Sequence, residues 1–239
     1  MVKFKNCEKR QEDSMSNRKL KRKRIMRYFI DATNVIIEEE GLECVTIRKV
    51  ADAAGYNSAT LYNYFNNIDH LIFYASIKYL SDYAQALPKY TKDAADSYEL
   101  YLRIWQCFCD YSFRNPKIYY LVFLGEFGHT YPDVIKEYYT IYPDYLKKIP
   151  SRLTDMLTKN DLCQRNLILL QKCASEGLFC ETDLGELNEM TLLVYQGLLL
   201  RAMNTAPEAL DSVAMAQLAN EYIERLAGFY RDKPLGGDR

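Results

Sequence analysis

Residues 46–65, which read TIRKVADAAGYNSATLYNYF, restrict what this chain can fold into more than any other stretch. Apolar residues recur with the spacing of one buried face of a short helix at positions 47, 50, 51 and 54. Gly55 stands where a left-handed residue ends a helix, and Asn57 is a good N-cap for a second short helix. Leu61 and Phe65, four residues apart, would point inward from that second helix. Two short helices around a tight glycine turn predict a helix-turn-helix.

The remaining side chains of this stretch are mostly polar groups of the kind that contact nucleic acid. Hydroxyl, amide and phenol groups can hydrogen-bond phosphate oxygens and base edges without crowding like charges together. The alternative is that these are two ordinary amphipathic helices around a glycine, as many helical proteins contain. The DNA contacts predicted from this stretch are Thr46, Arg48, Asn57, Ser58, Ala59, Thr60, Tyr62, Asn63 and Tyr64.

The stretch as a whole resembles the DNA-binding helices of the TetR family of transcriptional regulators. Members carry the pattern T-x-x-x-[IV]-A-x-x-[AS]-G-[VY]-[ST]-x-[GA]-T-[LI]-Y-x-[HY]-F, and the resemblance covers roughly the first third of this chain. Asn63 stands where many members have a second aromatic residue, and Ile68 replaces a lysine that often grips the DNA backbone. The residues that carry the resemblance are Thr46, Val50, Ala51, Ala54, Gly55, Tyr56, Asn57, Ala59, Thr60, Leu61, Tyr62, Tyr64 and Phe65.

The resemblance implies an all-α regulator in two parts. A three-helix DNA-binding domain (residues 18–66) would precede a helical bundle (residues 67–232) that binds an effector and dimerises. As a homodimer the protein would bind successive major grooves of a pseudo-palindromic double-stranded DNA operator. A small-molecule effector would release it, so that it acts as a repressor. The alternatives are a DNA-binding activator or architectural protein without ligand control, and a helical-bundle enzyme.

Positive charge is concentrated before the helix-turn-helix. Up to residue 30 there are eleven Lys and Arg against three acidic residues, and six of the eleven lie in the segment 18–24, RKLKRKR. Such a run can be a solvated, frayed terminus, but its position here favours a segment that lies along the phosphate backbone. Lys21 and Lys23 are therefore added to the predicted DNA contacts, while residues 1–17 are expected to form a flexible tail.

Apolar periodicity and turn residues predict the other helices. Gly41 would end the first long helix, and a connecting helix would begin at Asn66 or Asn67 and run towards Pro88. Pro150 should kink or interrupt the helix that contains it, and the pattern does not decide which. Residues 233–239 are expected to form a flexible tail. The predicted helices cover residues 20–40, 98–114, 118–127, 144–159, 161–177, 184–204 and 207–231.

The middle of the chain is rich in aromatic residues, since the sequence has 21 Tyr, 10 Phe and a single Trp. Most of these rings can be explained by core packing alone. The resemblance, however, implies a pocket among the central helices, and aromatic walls suit an apolar or aromatic effector. The residues expected near the pocket are Tyr98, Tyr101, Trp105, Phe108, Tyr119, Phe123 and Tyr142.

The helices predicted at residues 161–177 and 184–204 carry more apolar surface than one bundle face can bury. Exposed apolar surface of that size usually marks a partner, so these helices are predicted to form the dimer interface. The interface residues expected from this pattern are Leu170, Ala174, Leu193 and Leu200.

Other classes of function find little support in the sequence. The glycines form no phosphate-binding loop, no G-x-S-x-G elbow occurs, and two histidines are too few for a multi-histidine metal site. We therefore expect no catalytic residues, metal or cofactor. There is no apolar run of about 18 residues and no apolar N-terminal signal, so the expected location is cytoplasmic, away from membranes. The seven irregularly spaced cysteines fit reduced thiols there.

Overall fold

The computed structural model describes residues 2–125, 130–131, 133–145, 147, 149–159 and 161–232. Over these residues the secondary structure is helical, without a β-strand, which confirms the predicted all-α class. The helices are α1 (Val2–Glu40), α2 (Ile47–Ala54), α3 (Ser58–Leu61), α4 (Ile68–Thr91), α5 (Ser97–Ser112), α6 (Pro116–Phe123), α7 (Val134–Ile141), α8 (Ser151–Leu157), α9 (Leu162–Ser175), α10 (Leu184–Met203) and α11 (Ser212–Arg231).

The chain forms two compact units. The first comprises Met1–Lys78 together with Glu137–Tyr142, and the second comprises Tyr79–Lys136 together with Pro143–Arg239. Helices α4 and α7 therefore each contribute residues to both units. The boundary between these units lies within α4, between Lys78 and Tyr79. The functional boundary predicted from the sequence, between residues 66 and 67, is a different one and stays a prediction.

In the first unit, α1 packs its apolar face on the helix-turn-helix. Met26, Phe29 and Ile30 of α1 are buried, as are Val50 of α2 and Leu61 of α3. The helix predicted from Leu20 in fact begins at Val2, because no Gly or Pro interrupts the chain before Gly41. The residues expected to form a flexible N-terminal tail are thus helical from Val2 onward.

The second unit is built around aromatic residues of α5. Trp105 and Phe108 are almost fully buried, and Phe108 packs against Tyr119 of α6 and Tyr195 of α10 at ring-centre distances of 5.4 and 5.1 Å. Helix α5 also packs against α9 and α11. The central position of α5 places Trp105 between several helices of the bundle.

Two predicted helices are interrupted where the sequence contains proline. Pro150 has extended backbone (φ −55°, ψ 135°), so the predicted helix at 144–159 is a 3-10 turn (Pro143–Tyr145) followed by α8. The helix predicted from Pro207 likewise begins later in the chain. Residues Pro207–Ala209 form a 3-10 turn, and α11 follows at Ser212, with its first turn capped by the Asp211 carboxylate. Pro150 lacks the N–H that would continue a helix across it, whereas the helix predicted from Pro207 is only shortened at its start.

Other predicted boundaries differ in smaller ways. Pro88 does not end α4, which continues to Thr91, where the threonine hydroxyl donates a hydrogen bond to the Leu87 carbonyl. The last residues of the helix predicted at 118–127, and the tail predicted at 233–239, lie outside the described residues. Among the described residues, none of the helices combines the length and apolar character needed to cross a membrane.

Candidate nucleic-acid interface and ligand crevice

The turn of the helix-turn-helix is fixed by caps at both ends of α2. The Thr46 hydroxyl accepts a hydrogen bond from the Lys49 amide at 3.3 Å, which caps the N-terminus. Gly55 has a φ of +73° at the C-terminus, and its amide donates to the Ala51 and Asp52 carbonyls. A side chain at that left-handed position would strain the backbone, so glycine allows the chain to turn sharply into α3.

A second cap sets the start of α3. The Asn57 carboxamide oxygen accepts hydrogen bonds from both the Thr60 amide (2.8 Å) and the Thr60 hydroxyl (2.9 Å). Leu61 and Phe65 are buried, and the Phe65 ring meets the Phe29 ring of α1 edge-on at 6.1 Å. The caps and the buried pair together determine which face of α3 points outward.

Several residues predicted to contact DNA occupy that outward surface. Tyr62 is 54% exposed, Ala59 and Asn63 are exposed, and the Arg48 side chain is 92% exposed. Thr46 and Asn57 are also exposed, although both serve as helix caps. A guanidinium thus projects from α2, one amide from the turn before α3, and a phenol and a second amide from the residues that follow α3. Such groups bind phosphates and base edges.

The other predicted contacts are engaged inside the domain. Thr60 is half-buried with its hydroxyl bonded to Asn57, and Ser58 is half-buried as well. The half-buried Tyr64 packs against Phe29 of α1 at 6.3 Å, on the side of the domain that faces α1. For Tyr64 the sequence pattern gave no indication of this packing partner.

Arg22 holds the end of residues 58–65, which we call the recognition segment. Sequence reasoning did not predict this role. Its guanidinium donates hydrogen bonds to the carbonyls of Asn63 (3.1 Å) and Tyr64 (3.4 Å) and lies 5.3 Å from the centre of the Tyr64 ring. In the sequence Arg22 is one residue of a basic run, and its partners are more than forty positions away. Lys21 of the same run is exposed, whereas Lys23 donates to the Thr140 carbonyl at 3.0 Å.

Residues 137–142, although distant in sequence, pack on α1 and α4 in the first unit. The Tyr142 hydroxyl donates to Asp31 at 2.6 Å, and the Arg27 guanidinium lies 4.6 Å from the centre of the Tyr142 ring. Burial and this hydrogen bond raise the pKa of the Tyr142 hydroxyl. The prediction that placed Tyr142 with Trp105 in the effector pocket is therefore corrected, since composition alone does not reveal which core an aromatic residue joins.

His70 lies where α4 leaves the helix-turn-helix. Its Nδ1 accepts a hydrogen bond from the Asn66 amide at 3.2 Å, and its ring packs against Phe65 and Tyr74. Burial lowers the pKa of His70, and the Glu137 carboxylate partly opposes this shift. The neutral imidazole, which can accept that bond, is the form that this environment favours.

In the second unit, a narrow crevice lies beside Trp105, with a volume of about 20 Å³. Of the residues predicted to form a pocket, Trp105 and Phe108 line it, and Tyr119 and Phe123 pack behind Phe108. Sequence reasoning missed the other lining residues because they come from four separate helices, α4, α5, α8 and α9: Tyr83, Ile104, Met156, Leu162, Arg165, Asn166 and Leu169.

Two predicted pocket residues lie elsewhere in the same unit. The Tyr101 hydroxyl is fully buried and lies 3.3 Å from the Thr191 hydroxyl. The Tyr98 ring packs against Phe179 and lies under the Arg231 guanidinium, 4.5 Å from ring centre to guanidinium carbon. Neither residue is among those that line the crevice.

A chain of buried amides connects the crevice to α10. The Trp105 indole N–H donates to the Asn166 carboxamide oxygen at 2.8 Å, and the Asn166 amide nitrogen donates to Asn188 at 2.8 Å. The Asn188 amide nitrogen in turn donates to the Cys163 sulfur at 3.0 Å. Because Trp105, Asn166 and Asn188 are buried, the two bonds that join them hold α5, α9 and α10 in one arrangement.

The described outer surface of α10 and α11 carries large apolar side chains. Met190, Leu193 and Leu200 of α10 are 41–60% exposed, and Tyr222 and Phe229 of α11 are 42% and 65% exposed. The predicted interface residue Leu170 is instead fully buried within its own chain, and Ala174 is half-buried. The prediction for Leu170 is corrected, because periodicity shows that a helix face is apolar but not which neighbouring helix covers it.

Comparison with known families agrees with the helix-turn-helix geometry. The family model described as "Bacterial regulatory proteins, tetR family" matches residues 29–75, which include the end of α1, all of α2 and α3, and the start of α4. This segment is a TetR-family helix-turn-helix domain. The resemblance found in the sequence is thereby confirmed, and the outward surface described above belongs to the TetR domain.

Solved structures of TetR-family proteins share the fold over most of the chain. FadR of Thermus thermophilus, a TetR-family transcriptional repressor crystallised with lauroyl-CoA, superposes with a TM-score of 0.56 at 15% identity and covers 89% of this chain and 100% of its own. A TetR-family protein of Mesorhizobium loti MAFF303099 gives a TM-score of 0.55 at 14% identity, covering 87% and 97%. Among curated proteins, no relative matches the sequence.

Proposed function

We propose that this chain is a ligand-responsive transcriptional repressor of the TetR family that binds a pseudo-palindromic operator as a homodimer. The observation that carries the proposal is the outward surface of the TetR domain, where caps at Thr46, Gly55 and Asn57 present Tyr62 and Asn63 to solvent. Side chains held this way can enter a major groove without further ordering of the backbone, which lowers the entropic cost of binding.

The effector is proposed to bind at the crevice beside Trp105. Its walls are largely aromatic and aliphatic, which suits an apolar or aromatic molecule. The structurally similar FadR was crystallised with lauroyl-CoA, so a small-molecule ligand has a precedent in this fold. A volume of about 20 Å³ holds roughly one water molecule, so an effector must displace side chains on entry. The effector would shift the chain between a DNA-binding and a released state to the extent that it binds the rearranged state more tightly.

The dimer is proposed to form through the outer faces of α10 and α11. Met190, Leu193 and Leu200 follow one another along α10 at spacings of three and seven residues, and Gly197 between them adds no side chain. A stripe of this kind can pack against its own copy across a two-fold axis. The same symmetry would match the two half-sites of a pseudo-palindromic operator.

The test is direct because the protein contains a single tryptophan. Operator sequences would be selected from a pool of random DNA duplexes, and binding would be measured by fluorescence anisotropy of labelled duplex. We expect a selected site with two inverted half-sites and a complex that contains two protein chains. A screen of small apolar and aromatic compounds should then find ones that change Trp105 fluorescence and lower operator affinity in parallel.

Two outcomes would contradict the proposal. Selection that enriches no sequence would indicate a protein without operator specificity. Compounds that release DNA without changing the fluorescence of Trp105, and with equal effect on a Trp105→Phe variant, would place the effector site elsewhere.

A further inference from the structure

We infer that His70 is a positioning residue for operator binding: its neutral imidazole holds the end of the recognition segment, and the protonated ring releases it. Operator binding is therefore weakened by acid. This inference rests on the proposed repressor function and adds a form of regulation to it. It depends on the hydrogen bonds and charges around one side chain, all within the first unit.

Two reciprocal hydrogen bonds join the end of the recognition segment to the start of α4. The Asn67 carboxamide oxygen accepts a hydrogen bond from the His70 amide at 2.8 Å, and the His70 Nδ1 accepts one from the Asn66 amide at 3.2 Å. The arrangement resembles a capping box, in which a Glu or Gln at the third helical position reaches back to an amide ahead of the helix. The third residue of α4 is a histidine, so one of the two bonds depends on a group that titrates near neutral pH.

The bond to Asn66 requires the neutral imidazole. A neutral ring has one N–H and one bare nitrogen, and only the bare nitrogen can accept a hydrogen bond. Because Nδ1 accepts from the Asn66 amide, the proton of the neutral His70 ring is on Nε2. A second proton can be added only at Nδ1, where it would face the N–H of Asn66. Protonation therefore breaks this bond, whatever group the Nε2–H contacts.

The imidazole is also packed on the segment that it holds. Its ring meets the Phe65 ring edge-on at 6.0 Å, and Phe65 is the buried last residue of the recognition segment. Phe65 in turn packs edge-on against Phe29 of α1 at 6.1 Å. If the His70 ring turns away from the Asn66 amide, its packing on Phe65 changes as well. Protonation thus acts on the buried residue that helps to set the outward face of α3.

The charged groups around the ring set the pH range of this effect. Burial disfavours the imidazolium most; the Glu137 carboxylate of α7 favours it and the Arg22 guanidinium of α1 disfavours it, so the pKa of His70 lies below its ordinary value of 6.5. Glu137 also accepts a hydrogen bond from the Tyr74 hydroxyl of α4, and Asp69 is the acidic residue in the first turn of α4. The ring is therefore neutral at pH 8 and gains its proton below about pH 6.5.

Nuclear magnetic resonance shows whether the ring and the Asn66 bond titrate together. The sequence contains two histidines, so the imidazole signal that disappears in His70→Gln belongs to His70. We expect that signal in the wild-type protein to titrate with a midpoint below 6.5, and the Asn66 amide signal to shift with the same midpoint. An Asn66 amide that does not follow the imidazole would overturn the inference.

Operator affinity measured from pH 8 to pH 5 at constant ionic strength tests the functional consequence. His70→Gln keeps an acceptor for the Asn66 amide but does not titrate, so dividing by its affinity removes the effect of every other group that gains protons. Wild-type affinity should equal that of His70→Gln at pH 8 and fall about tenfold below it at pH 5, because each subunit of the dimer loses one hydrogen bond. His70→Ala has no acceptor and should bind more weakly than His70→Gln by a factor that does not change with pH.

Glu137→Gln is the matched charge variant. It keeps an acceptor for the Tyr74 hydroxyl and removes the carboxylate that favours the imidazolium. The midpoint of the His70 signal and of the affinity profile should both move to lower pH, while the affinity at pH 8 stays at the wild-type level. A midpoint that stays in place would contradict the assignment of the titration to His70.

The inference is overturned if the ratio of wild-type to His70→Gln affinity is the same at pH 8 and pH 5, or if it rises in acid. Circular dichroism at each pH would verify the fold, and should one His70 variant fail to fold, the wild-type profile is compared with the other. Tight operator binding at pH 8 with a constant ratio would support the proposed repressor function while refuting the role of His70. Selection that enriches no operator would refute both.

Discussion

Replacing Arg22 with Gln tests whether this residue positions the recognition segment or contacts phosphate. The guanidinium makes a 3.1 Å hydrogen bond to the Asn63 carbonyl, a longer one of 3.4 Å to Tyr64, and a ring contact at 5.3 Å. Since Arg22 is exposed, we assign the shorter bond about 0.5–1 kcal/mol, the ring contact about 0.5–1 kcal/mol and the longer bond little. The variant should therefore lose about 1–2 kcal/mol of unfolding free energy in urea titrations.

The matched variant is Lys21→Gln, which removes the neighbouring exposed charge. If Lys21 lies on a phosphate, each subunit contributes roughly 0.9 to the slope of log affinity against log salt, or about 1.8 for the dimer. Lys21→Gln should flatten the slope by that amount and leave the urea midpoint unchanged. Arg22→Gln should lower operator affinity at every salt concentration, because the recognition segment is less well held, with the slope unchanged.

The assays are urea unfolding followed by circular dichroism and operator binding by anisotropy over a series of salt concentrations. An Arg22→Gln protein with wild-type unfolding free energy and a flattened salt slope would refute the positioning role. It would show instead that Arg22 is a phosphate contact, as the basic run in the sequence first suggested.

Three further predictions concern other parts of the chain. Tyr62→Ala should weaken operator binding by about 1–3 kcal/mol with the fold intact by circular dichroism, and unchanged affinity would remove Tyr62 from the interface. Leu193→Glu should give monomers in sedimentation velocity, because a carboxylate would be buried between apolar stripes; a wild-type protein that is already monomeric would contradict the proposed dimer. His70 has a lowered pKa in the folded chain, so the unfolded chain binds its proton more readily. Unfolding free energy should therefore fall as pH drops below about 6.5, until the folded pKa is reached. His70→Gln should flatten this dependence, and a wild-type pH profile in the His70 variant would contradict the assignment.

Much of the TetR domain could be predicted from the sequence, because its determinants are local. Thr46, Gly55 and Asn57 act within three or four residues of their own position, as caps and as a left-handed turn residue. Few residue types suit an N-cap or a left-handed turn position, so residue type and spacing were sufficient to predict both short helices and the turn between them. The proline positions were less certain: the sequence left open whether Pro150 kinks or interrupts a helix, and the extended backbone there shows an interruption.

Only the tertiary structure decided which residues meet over long separations. Arg22 reaches Asn63, Tyr142 joins the first unit through Asp31, and Arg165 enters the crevice beside Trp105. An arginine in a basic run, a tyrosine among many, and a cation within an amphipathic helix look ordinary in the sequence, because residue type does not encode the distant partner. The same holds for Leu170 and Leu193, two leucines on predicted apolar faces, of which one is buried by its own chain and the other is left exposed. Periodicity determines that a helix has an apolar face, and the packing of the whole chain determines what covers that face.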